Sequence, residues 1–321
     1  MTEGKTRAGM SVAGPRIDIV EVALRDGLQN EPVIVATADK VRLAQRLVAA
    51  GARRVEAVSF AHPKAVPAMA DAEAVMEGVL TTVPSSAGVS WAGLVLNARG
   101  LGRALACGVN EVNSVVCASD EFSQRNQRMS TQDAMKAAIE VTQGGREAGL
   151  FTTITIATAF GCPFAGEVAP TRVLDLAAEA IEAGVDEVCL ADTIGVGVPA
   201  QVDGFAGALA RVCGQTQTAL RFHFHNTRNT GYANAWAAVR SGAVALDASV
   251  GGIGGCPFAP KATGNIATDD LVYLLNRSGV THGYDLDALI DLTSDVAAMV
   301  RHDTLSLLPR AGVFPSTADG R

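Results

Sequence analysis

The segment Arg221-Phe222-His223-Phe224-His225-Asn226 carries two imidazoles spaced for joint action. In an extended strand alternate side chains share a face, so His223 and His225 point one way and Phe222 and Phe224 the other. Two imidazoles on one face at a strand end form a pair of metal ligands; two hydrogen-bonded core histidines would show the same pattern. Other groups of related chemistry close other apolar runs. Arg25 and Asp26 end the run that begins at Ile17, Asp192 ends the run Glu187–Ala191, and Asn265 follows the run Ala245–Val250 beyond a glycine-rich loop. A carboxylate, two imidazoles and an amide carbonyl offer two oxygens and two nitrogens, a set that suits Mg²⁺ or Mn²⁺ with room for water or substrate. Zn²⁺ is less favoured, since structural zinc prefers thiolates. Taken singly, Arg25–Asp26 also reads as a surface ion pair beside a turn at Gly27, and Asp192 as a helix cap.

The stretch Gly251-Gly252-Ile253-Gly254-Gly255-Cys256-Pro257-Phe258 places four glycines in five residues just before a thiol. Such a backbone can move or approach a ligand closely. Cys256 is therefore a candidate acid, base or lid group, or else an incidental thiol in a structural loop. The pentapeptide Gly-Cys-Pro-Phe-Ala occurs a second time at Gly161–Ala165.

These residues need a frame that brings them to one place. Eight short apolar runs alternate with helical stretches: Ile17–Leu24, Arg54–Phe60, Ser90–Leu96, Glu111–Ala118, Thr152–Phe160, Glu187–Ala191, Leu220–His225 and Ala245–Val250. Continuous apolar runs fit parallel strands covered by helices. Thr37 is expected to cap a helix through Lys40–Ala50 that stops at Gly51, Ser130 with Asp133 starts another, and Thr268 precedes two acids at a helix start. Pro170 and Pro199 suit first turns. Eight such units predict an α/β fold of the (β/α)8 TIM barrel kind, with the site at the C-terminal ends of the strands. A doubly wound open sheet is the alternative, but no glycine-rich dinucleotide turn follows the first run. Leu286–Leu307 reads as extra helix on the barrel. The expected organisation is a flexible segment 1–15, the barrel over 16–310 and a flexible tail 311–321.

Composition narrows the function classes. The chain has 321 residues, is 48% hydrophobic with a net charge of −7, and has a mean hydropathy of +0.23. The negative balance argues against nucleic acid and acidic membranes as partners. The six cysteines show no framework spacing and no CxxC, which points to free thiols in a reducing compartment, the cytoplasm. The first fourteen residues lack the apolar core of a secretory signal, and no run approaches the roughly 18 apolar residues of a membrane span.

The motifs together resemble 3-hydroxy-3-methylglutaryl-CoA (HMG-CoA) lyases, within a superfamily of metal-dependent lyase and synthase TIM barrels. The resemblance rests on Arg25–Glu31, on Glu56–Phe60 with Pro63-Lys64, on Asp192–Gly197, and on His223-Phe224-His225. Its most specific part is Ser249–Pro260 running on to Thr263–Thr268. It implies Asp26, His223, His225 and Asn265 as metal ligands, Arg25 as the cation facing a developing enolate, and Cys256 as the catalytic thiol. Glu56 and Asp192 match acidic residues near the site. Gln29, Arg228 and Asp269 are expected to contact the acyl-CoA substrate, and the family pattern implies a homodimer. Two departures stand out: Asp269 replaces a usual Glu, and the usual His-x-His-Asp-Thr-Tyr-Gly is here His223-Phe224-His225-Asn226-Thr227-Arg228-Asn229. His-x-His-Asn is similar to isopropylmalate and homocitrate synthases, whereas Gly254-Gly255-Cys256-Pro257 sides with the lyases.

The implied reaction is a retro-Claisen cleavage of HMG-CoA to acetoacetate and acetyl-CoA, with His223 or Asp192 taking the hydroxyl proton. The alternatives are a lyase for another 3-hydroxyacyl-CoA of citramalyl or isoprenoid type, or a Claisen-condensing synthase. A barrel that binds metal or acyl-CoA without turnover is the non-enzymatic alternative. Arg228, standing where the lyases carry Tyr, reads either as a solvated Arg contacting a helix neighbour or as a guanidinium that pairs with a substrate carboxylate.

Overall fold

A computed structural model describes residues 15–256 and 259–315, with the side chains of 256 and 259–263 outside that description. Eight parallel strands close on themselves in chain order: β1 (Asp18–Glu21), β2 (Arg54–Ser59), β3 (Ser90–Leu94), β4 (Glu111–Cys117), β5 (Phe151–Ala157), β6 (Glu187–Asp192), β7 (Ala219–Phe224) and β8 (Ala245–Ala248). β1 pairs with β8 from Asp18↔Ala245 to Glu21↔Ala248, which seals the barrel. Helices α1 (Thr37–Ala49), α2 (Ala72–Thr82), α3 (Ala98–Ala106), α4 (Asp120–Gln127), α5 (Thr131–Glu147), α6 (Pro170–Glu182), α7 (Pro199–Thr216) and α8 (Gly231–Arg240) run between the strands. A short hairpin, β9 (Gly255–Cys256) and β10 (Ala259–Thr263), precedes α9 (Thr268–Arg277), and α10 (Leu286–Val300) and α11 (Leu308–Ala311) follow. The expected TIM barrel with extra C-terminal helix is borne out. No helix among the described residues is long and apolar enough to cross a membrane.

Local chemistry sets most of the boundaries. Pro170 and Pro199 open α6 and α7, where a missing N–H loses no hydrogen bond. Ser130 caps α5 by accepting from the Asp133 amide. Thr37 and Thr268 are first helical residues rather than caps. Their hydroxyls donate instead to Asp71 at 2.8 Å and to the buried Glu21 at 2.7 Å. The first strand stops at Glu21, short of the expected Leu24, because Ala23–Gly27 forms a single π-helical turn; such turns are often found at functional sites. β5 ends at Ala157, since Thr158 has φ 55°. The expected continuous helix Leu286–Leu307 breaks where Arg301 adopts the left-handed region at φ 63°. Of the terminal segments expected to be flexible, 1–15 and 311–321, residues 1–14 and 316–321 lie outside the described residues, while Ala311 closes α11.

Outside the barrel the packing is apolar: Phe222 and Phe224 stack with ring centroids 5.6 Å apart, and Phe160 meets Phe205 edge-on at 5.3 Å. Inside, branched aliphatic residues would be the usual filling, but here much of the filling is charged. Arg54 binds Glu111 through two bonds of 3.0 and 2.7 Å and Glu187 through two of 3.1 Å. Arg221 stands 3.3 Å from Glu187 and 3.4 Å from Asp247. Thr153 adds a 3.0 Å bond to Glu187. Buried ions persist only when paired, and these alternate in sign from the floor of the barrel upward. Burial alone would raise the pKa of Glu187; Arg221 and Arg54 outweigh it and hold the carboxyl below its ordinary value.

Replacing Arg54 by Met would leave Glu111 and Glu187 adjacent without their shared cation. Breaking a buried pair from one side destabilises by about 3–5 kcal/mol. The midpoint of urea unfolding of Arg54→Met should fall accordingly at neutral pH. A shift equivalent to less than about 0.5 kcal/mol, the range of ordinary surface substitutions, would show that the charged interior is not what holds the barrel floor.

Candidate active site

Three elements carry ligand-type groups to the C-terminal mouth of the barrel. Alternation along β7 turns Arg221, His223 and His225 inward, with Phe222 and Phe224 toward the helices. The π-helical turn after β1 presents Arg25 and Asp26 across the mouth. Gly27 in that turn leaves room for the Ile253 side chain, since a Cβ there would lie 2.9 Å from its Cγ1 and force it to shift. After the hairpin, the chain returns beside the end of β7. Asn226 donates to the Gly264 carbonyl at 3.0 Å, Ile266 donates to that of Phe224 at 3.1 Å, and Asn265 bridges His225 antiparallel. Gly264 permits this approach, since a Cβ would sit 1.8 Å from the Gly252 carbonyl oxygen.

Asp26, His223 and His225 converge so that one ligand atom from each lies within 4.8 Å of the others. Asn265 donates its amide to Asp26 Oδ2 at 2.9 Å and to the Ile253 carbonyl at 3.1 Å. Its buried Oδ1 is left without a hydrogen-bond donor. A buried orphaned carbonyl beside a carboxylate and two imidazoles is what a cation site requires, so the residues present fit a divalent metal. The expected ligands Asp26, His223 and His225 are thus brought together, with Asn265 hydrogen-bonded to the first of them.

Charge is organised around the same point. Arg25, buried, binds Glu56 through Nε and Asp26 through Nη1 at 2.7 Å. Asn113 donates to the other Glu56 oxygen at 3.1 Å and accepts from Thr155 at 2.8 Å. Burial alone would raise Asp26, but Arg25 and the two imidazoles override it and bring the carboxyl down to about 2. His223 Nδ1 lies 3.1 Å from Asp247 Oδ2. Burial works to lower the His223 pKa; the Asp247 carboxylate, with Asp26 beyond it, outweighs that and raises it.

The cavity here measures about 190 Å³. Arg25, Asp26, Gln29, His223, His225 and Asp247 line its polar side, and Leu94, Leu96, Val115 and Phe122 its apolar side. Gly255 also lines it, and its carbonyl accepts from Asn30 at 2.8 Å. The Cys256 side chain lies outside the described residues.

Besides Asn265, which reaches the rim through Asp26, four expected residues sit elsewhere than the cavity wall. Glu56 lies beneath Arg25. Asp192, last in β6, accepts from the Val196 and Gly197 amides at 2.9 Å each, while its neighbours Ala191 and Thr193 line the cavity; alternation turns Asp192 away. Burial raises its pKa. Asp269 lies under the glycine loop, accepting from Gly251 at 3.0 Å, and burial pushes it up to about 6. Arg228 does not line this cavity. It is exposed, and its Nη1 donates to the Ile194 and Gly195 carbonyls at 3.0 Å each. The turn at Asn229, φ 57°, leaves it bracing a neighbouring loop. Asp247, Asn113 and Asn30 were not anticipated. A lone acid inside the apolar run Ala245–Val250 was the available signal for the first.

A family profile described as HMGL-like matches residues 16–296. An (R)-citramalyl-CoA lyase of Chloroflexus aurantiacus is 42% identical over 93% of this chain and 96% of its own length. A hydroxymethylglutaryl-CoA lyase of Bacillus subtilis is 39% identical over 86% of this chain and 90% of its own. Among solved structures, an HMG-CoA lyase from A. baumannii in complex with coenzyme A and 3-methylmalate superposes with a TM-score of 0.88 at 37% identity, covering 95% of this chain and 98% of that one.

Cation binding at this rim needs an unprotonated imidazole. Because the His223 pKa is raised, protons compete above the ordinary imidazole value of 6.5. Mn²⁺ affinity, followed by electron paramagnetic resonance, should fall as pH drops from about 8 toward 6. Asp26, held near 2, should add no break between about pH 4 and 8. His225→Ala should abolish tight binding while the barrel stays folded. Wild-type affinity in His225→Ala would remove the imidazole pair from the site.

Proposed function

The chain belongs to the HMGL-like family, and on that premise we propose that it is a metal-dependent carbon–carbon lyase cleaving HMG-CoA to acetoacetate and acetyl-CoA. The observation that carries the reading is Asp26, His223 and His225 meeting at one rim beside the paired Arg25. Relatives named for this activity over most of their length support it. A second reading, cleavage of citramalyl-CoA to pyruvate and acetyl-CoA, is favoured by the 42% identical relative of that name.

Asp26, His223, His225 and Asn265 would hold the cation, and their oxygen-bearing donor set suits Mg²⁺ or Mn²⁺ over Zn²⁺. When bound, it supplies Lewis acidity that lowers the pKa of the substrate's 3-hydroxyl. With Nδ1 engaged by Asp247, the Nε2 lone pair of His223 would go to the cation, so the hydroxyl proton passes, relayed through water, to Asp192, the other residue expected to take it. Loss of that proton breaks the C2–C3 bond, the electron pair passing to C2 and the thioester oxygen. Arg25, buried and oriented by Glu56 and Asp26, stabilises that oxyanion without having to reorganise. Cys256 delivers the proton that quenches the carbanion at C2. Asn226 and Arg228, where the lyase pattern changes, are engaged by the Gly231 amide and by loop carbonyls, so the choice of acyl group belongs to the cavity wall. We further take the working species to be a cytoplasmic homodimer, which light scattering would report as about twice 33.0 kDa.

With Mg²⁺ and each thioester, HMG-CoA should release acetoacetate. Preferred release of pyruvate from citramalyl-CoA would move the assignment to the second reading, and release of neither ketone would overturn the lyase. Arg25→Gln should depress kcat by roughly 100- to 1,000-fold, more than it raises KM, because the interaction strengthens in the transition state; a pure KM effect would reduce Arg25 to an anchor. Cys256→Ser should fold normally and lose roughly 100- to 10,000-fold in turnover. A loss under about threefold would return this thiol to a structural role.

A further inference from the structure

We propose that Asp247 and Arg221 are positioning residues that fix the ring of His223 and so set the affinity of the rim for a divalent cation. His223 and Asp247 face each other directly across the β7–β8 pairing. The two Asp247 oxygens point at different partners: Oδ2 meets His223 Nδ1 at 3.1 Å, and Oδ1 faces Arg221 Nε at 3.4 Å. Arg221, with a side chain 1% exposed, also stands 3.3 Å from Glu187, which is itself bound by Arg54. The ion pair below, at 3.4 Å and without a hydrogen bond, draws Oδ1 toward Arg221 and leaves Oδ2 to the imidazole. A ring whose Nδ1–H is held by a carboxylate keeps its Nε2 lone pair for a ligand. Such outer partners fix tautomer and orientation of metal-binding histidines. Glu187 would suffice as a counter-ion for Arg221, since the two already pair. The second buried acid therefore serves His223, and it lines the cavity beside it.

Asp247→Asn tests this directly. The amide carbonyl would turn to the Arg221 guanidinium and leave the NH₂ group facing Nδ1. The ring would then carry its proton on Nε2, the wrong nitrogen for a cation. The inference rests on the metal reading of the rim, and Mn²⁺ titration of the full chain by electron paramagnetic resonance separates the two. Asp247→Asn should weaken Mn²⁺ binding roughly 10- to 100-fold while circular dichroism shows the barrel still folded at the assay temperature. In a His223→Ala background the same substitution should change Mn²⁺ affinity less than about twofold, because it acts only through that ring. Wild-type affinity in Asp247→Asn, or an equal loss in the His223→Ala background, overturns the positioning role. A wild-type chain that fails to bind Mn²⁺ overturns the metal reading along with it. Should Asp247→Asn not fold, ¹⁵N spectra of histidine in the Mg²⁺-loaded wild-type chain carry the test. His223 should be protonated at Nδ1, and a ring protonated at Nε2 overturns the proposal.

Discussion

Charge buried inside this barrel has to be neutralised within the barrel, and the site depends on how that is done. From the floor upward, Glu111, Arg54, Glu187, Arg221 and Asp247 alternate in sign and end on His223. A second series, Glu56, Arg25 and Asp26, ends on the facing side of the mouth. Desolvation penalises each ion singly, and each is retained because its neighbours compensate it. The two series therefore arrive at the rim with their end groups already oriented. Asp26 is kept ionised by Arg25 and the imidazoles, and His223 is kept in place by Asp247. Ligand-type side chains that would wander on a loop are fixed here by the interior of the scaffold.

The barrel itself was legible because parallel strands covered on both faces read as apolar runs, and each of the eight runs overlaps a strand. His223 and His225 were legible for the related reason that a two-residue period survives even in a buried strand. The same period, read two residues back, would have put Arg221 on the inner face. Asp247 was harder to find, because its partner lies on a neighbouring strand and register is not written in one segment. Arg25 and Asp26 were found by their motif, although the local geometry differs: a π-helical turn, not a strand end, presents them. Asp192 stands one step of alternation from the inner face, which Ala191 and Thr193 take. Arg228 and Asp269 lie in loops whose course depends on long-range bonds, to Ile194 and Gly195 in one case and Gly251 in the other. No local pattern encodes those bonds.

The cavity is consistent with a small branched acyl head. It offers one guanidinium, two imidazoles and several neutral amides on one side and aliphatic wall on the other. Retro-Claisen cleavage makes two demands: acidity at the 3-hydroxyl, and stabilisation of the carbanion as an enolate. The ligand cluster answers the first and the paired Arg25 the second, from neighbouring points on one polar wall of the cavity. The glycine-rich segment adds a backbone contact, Gly255 to Asn30, that brings the residue before Cys256 to the same wall.

The account stands on a single divalent cation bound where the two charged series meet. Crystals grown with Mn²⁺ and measured at the manganese absorption edge test this directly. One anomalous peak bounded by Asp26, His223, His225 and Asn265 Oδ1, at about 2.0–2.4 Å from each ligand atom, is the expected result. Manganese bound elsewhere on the chain, with these four residues holding none at saturating concentration, would contradict it.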